Sequence, residues 1–198
     1  MITGPSACGK TVLLKCTIGL LISDSGTLRF YGEDTASFSN RDRELFKADA
    51  GMLFQQSALF DRMTVWKSIG FRLDQTQDMG RTEVRQIAVQ KLSNVGLNSD
   101  VADLYPNELS GGVKKRVGLA RVISDTPKIL LLNEPTVGLD PIMTNNINQL
   151  IKRNAEIIGA TTVSVTSDMD GAQNIADRIA MIFECKTGWC GPVEEADK

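Results

Sequence analysis

Gly4-Pro5-Ser6-Ala7-Cys8-Gly9-Lys10-Thr11 follows the pattern G-x-x-x-x-G-K-[ST] and decides the reading of the chain. Glycines at such spacing let backbone N–H groups turn inward as an anion nest. A helix beginning at Lys10 would aim its positive N-terminus at the same anion. Lys10 then reaches the β- and γ-phosphates, and the Thr11 hydroxyl is placed to ligate Mg²⁺. Cys8 reads as a small filler in the wall of the loop.

Outward from the loop, the chain alternates between helical and strand patterns. Lys10 to about Leu20 reads as a helix with Leu13, Leu14 and Thr17 inward. Thr27 to Tyr31 alternates as a strand, residues 39–48 are a charged helix, and Ala50 to Phe54 is a short apolar strand. Residues 61–124 are mainly helical. Val84, Ile87, Leu92 and Val95 follow helix spacing, with Gly96 as the stop. Ser110-Gly111-Gly112 opens a further helix with Val113, Val117, Ala120 and Ile123 on its apolar side. Ile129-Leu130-Leu131-Leu132 is too short for a helix and fits a strand buried on both faces, expected centrally, adjoining the phosphate loop. Asp140-Pro141 caps a helix that Gly159 ends. Thr161 to Thr166 is a strand, residues 169–176 a short helix, and Arg178 to Phe183 another strand. Strands alternating with helices predict a parallel α/β sheet.

The 198 residues suit one domain, and a chain of this size buries roughly 70% of its unfolded surface. At 42% hydrophobic and 23% charged it is neither collagen-like nor disordered. Lys and Arg number 22 against 24 Asp and Glu, a net charge of −2, which is no nucleic-acid footprint. No apolar run approaches the ~18 residues of a membrane span. Met1-Ile2-Thr3 runs straight into the glycine loop, so no secretory leader is expected. Of the four cysteines, Cys185 and Cys190 flank a predicted hairpin. They read as reduced thiols, with a cross-hairpin disulfide or half a metal site as the alternative. The chain has no histidine, which removes imidazole bases and ligands together.

Three further segments extend the phosphate loop. Leu109-Ser110-Gly111-Gly112 sets a serine and two glycines at a helix start. The strand Ile129–Leu132 ends in Asn133-Glu134, where active-site residues of open α/β sheets gather. Gly138-Leu139-Asp140 follows. In this order they resemble the nucleotide-binding subunits of ABC transporters, and the stretch Met52 to Trp66 is similar to the Mla-type ATPases that power phospholipid transport.

The resemblance implies an α/β P-loop NTPase (RecA-like) core with a helical subdomain at about 61–124 and a small antiparallel β portion, as one domain over residues 1–198. It implies ATP and Mg²⁺ as cofactors. The loop Gly4, Pro5, Ser6, Ala7, Cys8, Gly9, Lys10 and Thr11 would hold the phosphates. Thr11, Gln55 and Asn133 would face the metal. Glu134 would polarise the attacking water, with Gln55 and Ser167 beside it. Ser110, Gly111 and Gly112 would contact the γ-phosphate bound by a second copy, and Asp140 would bridge the two. The other partner implied is an integral-membrane permease, reached through residues 61–100. The chain would then be cytoplasmic and peripheral on the inner face of the cytoplasmic membrane, with no nucleic acid bound.

Three departures from that family stand in the sequence. The family's strand and adenine-stacking aromatic ahead of the loop are represented only by Met1 to Thr3. Its metal-holding aspartate is Asn133, an isosteric but neutral amide. Its switch histidine is Ser167, too short to reach a γ-phosphate as an imidazole does. The alternative reading is therefore a nucleotide-binding module that no longer hydrolyses and serves a structural or regulatory role.

Overall fold

The computed structural model describes residues 1–76 and 79–196; positions 77–78 and 197–198 of the expected domain lie outside them. Among the described residues, eight strands are formed: β1 (Ile2–Thr3), β2 (Arg29–Phe30), β3 (Glu33–Asp34), β4 (Ala50–Leu53), β5 (Ile129–Asn133), β6 (Thr161–Thr166), β7 (Arg178–Phe183) and β8 (Lys186–Pro192). The α-helices among the described residues are α1 (Lys10–Thr17), α2 (Asn40–Asp49), α3 (Val65–Thr76), α4 (Arg81–Asn94), α5 (Gly111–Val122), α6 (Pro141–Ile158) and α7 (Met169–Ile175). The main sheet runs β4-β5-β6-β1-β7-β8. Its first five strands are parallel, and β8 pairs antiparallel with β7 at the edge.

Strand β5 explains why an unbroken apolar run is needed. Its side chains alternate between faces. Leu130 and Leu132 enter the larger core with Val65, Ile69, Leu92, Val117 and Ile147. Leu131 enters the smaller core on the other face, with Leu14, Met52 and Val165. Helices α3, α4 and α5 form one packed group against the larger core. Gly70 permits the close approach of α3 to α4, since a Cβ there would lie 2.2 Å from Val84 Cγ1. Helix α6 starts and stops on the expected residues. Asp140 accepts from Met143 N–H at 2.9 Å, Pro141 takes the first turn, and Gly159 adopts φ +66° at the end.

Several expectations need correction. Helix α1 stops at Thr17 rather than near Leu20. Leu13 lies on its outer face, 45% exposed, while Leu14 and Ile18 form the buried i, i+4 pair. The strand expected over 27–31 shrinks to Arg29–Phe30. Tyr31 and Gly32 both take positive φ, +51° and +86°, and turn the chain back into β3, as a two-residue hairpin turn of that kind requires. Strand β5 is interior but does not pair with β1, because β6 lies between them. It adjoins the phosphate loop through side chains instead. In the β7–β8 hairpin, Cys190 faces Ala180 and Cys185 sits in the turn, so the two thiols are not opposite each other. All four cysteines are free. Among the described residues, no helix is long and apolar enough to cross a membrane.

Candidate nucleotide-binding site

The phosphate loop leaves the C-terminal end of β1 and enters α1. Its conformation is set by three positive φ angles: Gly4 at +150°, Ala7 at +63° and Gly9 at +91°. Only glycine fits at position 4, where a Cβ would stand 2.2 Å from the Ile182 carbonyl oxygen. Ala7 holds a left-handed conformation that disfavours a Cβ. Cys8 is buried under the loop, and Pro5, Ser6 and Ala7 are exposed. Gly9 caps α1 without a side-chain hydrogen bond, and the first turn carries no acidic residue. The helix N-terminus thus keeps its positive end open toward the loop.

Lys10 is buried, with its ammonium donating to Gly4 O at 2.8 Å and Pro5 O at 3.0 Å. It stands 3.8 Å from Glu134 Oε1. One residue on, Thr11 Oγ1 donates to Asn133 Oδ1 at 2.9 Å. Helix α1 and the end of β5 are therefore joined at the position expected to face a metal. Glu134 follows directly and adopts φ +47°, a conformation that needs support for a residue with a Cβ. That support comes from three sides. Its N–H donates to Val165 O at 2.9 Å. Its carboxylate Oε2 accepts from Ser167 N–H at 3.1 Å and Ser167 Oγ at 3.3 Å. Its carbonyl accepts from Lys115 Nζ at 3.5 Å. Lys10, Thr11, Asn133, Glu134 and Ser167 thus converge at the C-terminal ends of β1, β5 and β6.

Gln55 joins this group through its backbone, its carbonyl accepting a short hydrogen bond from the same Lys115 ammonium. Burial pushes the Lys115 pKa down, while the nearby Glu134 charge pulls it up. Sequence reasoning passed over Lys115. Its signal was a lysine three residues before Gly118 and seven before Val122, on a second buried stripe of α5.

Ser110 is exposed at the start of α5, with no side-chain capping bond. A Cβ on Gly112 would lie 2.8 Å from Met143 Cε. The serine-glycine turn therefore sits against Met143 in the first turn of α6, with Ser110 exposed.

Thr11 and Asn133 offer a hydroxyl and an amide oxygen side by side, hard donors of the kind that Mg²⁺ accepts. Both are neutral, and no described cluster of three or more His, Cys, Asp or Glu could hold a metal. The phosphates would have to bring most of the negative charge.

The ABC transporter family pattern matches residues 1–137. The chain is 37% identical over 194 residues to the probable ribonucleotide transport ATP-binding protein mkl of Mycobacterium leprae, covering 98% of this chain and 56% of that one. It is 38% identical over 185 residues to the intermembrane phospholipid transport system ATP-binding protein MlaF of Haemophilus influenzae, covering 93% and 70%. A dimeric ATP-binding cassette in a post-hydrolysis state, bound to ADP and Pi, superposes with TM-score 0.87 at 29% identity, covering 97% of this chain and 84% of that one. The chain belongs to the ABC transporter family. It spans little more than half the length of the mycobacterial relative.

Proposed function

We propose that this chain is the ATP-binding subunit of a phospholipid-moving ABC transporter, and that it binds ATP well before it hydrolyses it. The observation that carries this is the convergence of Lys10, Thr11, Asn133, Glu134 and Ser167 at the C-terminal ends of β1, β5 and β6. In this reading the loop Gly4–Thr11 wraps the phosphates, and Lys10 exchanges its carbonyl partners for phosphate oxygens. Mg²⁺, held by Thr11 and Asn133 with Gln55 nearby, would neutralise charge on the β- and γ-phosphates. Glu134 takes a proton from the attacking water as the new P–O bond forms, and ADP leaves with the old bridging oxygen. Ser167 orients that carboxylate.

Ser110, Gly111 and Gly112 would meet the γ-phosphate of a second copy, with Asp140 at the junction. Their outward position supports this, as does the dimeric state of the similar cassette. A permease would dock through the helical region 61–100, whose Ile69, Phe71 and Gln75 form one wall of an open groove of about 780 Å³ between α2 and α3. That docking would hold the chain on the inner face of a cytoplasmic membrane. Phospholipid as cargo rests on the likeness to MlaF and on the stretch Met52 to Trp66; the mycobacterial relative is named for ribonucleotides.

A second reading, binding without turnover, is favoured by one observation: the Thr11–Asn133 pair carries no negative charge toward the metal. Titration with ADP and ATP tests the shared premise. The parent chain should bind both, and Lys10→Ala should lose binding. Equal affinity in the variant would refute the phosphate-loop assignment.

A further inference from the structure

We propose that Lys115 is a positioning residue that latches α5 to the turn at Gln55 and to the peptide of Glu134, so that the helix beginning at Ser110 sets the placement of the hydrolytic carboxylate. The inference rests on the role given above to Glu134. Lys115 is 9% exposed and spends its ammonium on two backbone carbonyls, those of Gln55 and Glu134. A buried ammonium is costly unless acceptors surround it. These acceptors come from the ends of two neighbouring strands, β4 and β5.

The rest of the α5 face fits the same turn. Gly118, one helical turn after Lys115, lets α5 approach closely: a Cβ there would lie 2.9 Å from Ser57 Cβ. Ser57 is buried and, with Ala58, takes positive φ. The Glu134 carbonyl thus belongs to a residue in the left-handed region, and the Gln55 carbonyl lies two residues before the next such pair, Ser57 and Ala58. Such conformations persist where neighbours over-determine them. For Glu134, Val165 holds the N–H and Lys115 the C=O. A shift of α5 would carry the ammonium away from one or both carbonyls, and the carboxylate would lose one of its restraints.

The test compares the whole chain with Lys115→Met, which keeps the bulk of the side chain, and with Lys115→Arg, which keeps the charge. Amide hydrogen exchange is followed at 55–58 and 134–137, beside ADP affinity, kcat and KM for Mg-ATP. Lys115→Met should leave ADP affinity and KM within about twofold, lower kcat by about tenfold or more, and speed exchange in both segments by about tenfold. Lys115→Arg should recover most of both effects. Unchanged exchange in either segment, or a KM loss in place of a kcat loss, would overturn the latch. A parent chain with no turnover would contradict the proposed hydrolysis alone, because exchange still decides the latch. If Lys115→Met does not fold, Lys115→Gln, with one neutral donor group, should show the same pattern in weaker form; parent-like exchange in it would refute the proposal.

Discussion

Thr11 and Asn133 lie 122 residues apart in sequence and share a 2.9 Å hydrogen bond, hydroxyl to amide oxygen, at the C-terminal end of β5. The pair joins the phosphate loop to the strand that carries Glu134. Neither partner carries a charge toward a bound cation.

Replacing the amide by a carboxylate should therefore matter only when a cation is present. Asn133→Asp should tighten ADP binding by about tenfold in Mg²⁺ and weaken or leave it unchanged in EDTA, since a lone carboxylate repels phosphate. Calorimetric titration in both buffers reads the difference. Equal effects with and without Mg²⁺ would show that Asn133 does not face the metal.

Ala7 holds φ +63° in the loop. A left-handed conformation costs a residue with a Cβ about 1 kcal/mol, which glycine does not incur. Ala7→Gly should raise the thermal midpoint by a few degrees, consistent with about 1 kcal/mol, and should preserve nucleotide binding. A lower midpoint would mean that the chain entropy added by glycine outweighs the strain relieved.

How much of this was legible beforehand follows from the physics of each signal. Strand β5 was readable because four apolar residues in a row can be buried only on both faces. Helix α6 was readable because Asp140, Pro141 and Gly159 punctuate it at both ends. The loop itself was readable because its chemistry fixes residue types at fixed spacing. The sequence could not show that Ser167 clamps Glu134, since that contact depends on the register of β6 against β5, Leu132 facing Ser164. Nor could it show Lys115, whose partners are backbone carbonyls and leave no trace in residue type. The Tyr31-Gly32 turn was missed because tyrosine is an unusual residue for positive φ.

The outward Ser110 makes a separate prediction. Ser110→Arg should block ATP-dependent dimerisation, because a bulky cation replaces the small hydroxyl that would meet a second copy's phosphate. ADP binding at the loop should stay within about twofold, since the substitution is exposed. Sedimentation with and without ATP checks it. Dimers that persist in the variant would argue against a nucleotide shared between copies.

Steady-state phosphate release under saturating Mg-ATP tests the central claim, that the site is assembled for ATP but slowed by a neutral Asn133 and by a Ser167 that holds Glu134 yet is too short to reach the γ-phosphate. The Asn133→Asp, Ser167→His double variant should exceed the parent by at least about a hundredfold, since each restores a contact expected to strengthen in the transition state. Adding Glu134→Gln to that background should remove the gain. A parent chain that already releases phosphate as fast as the double variant would contradict the account.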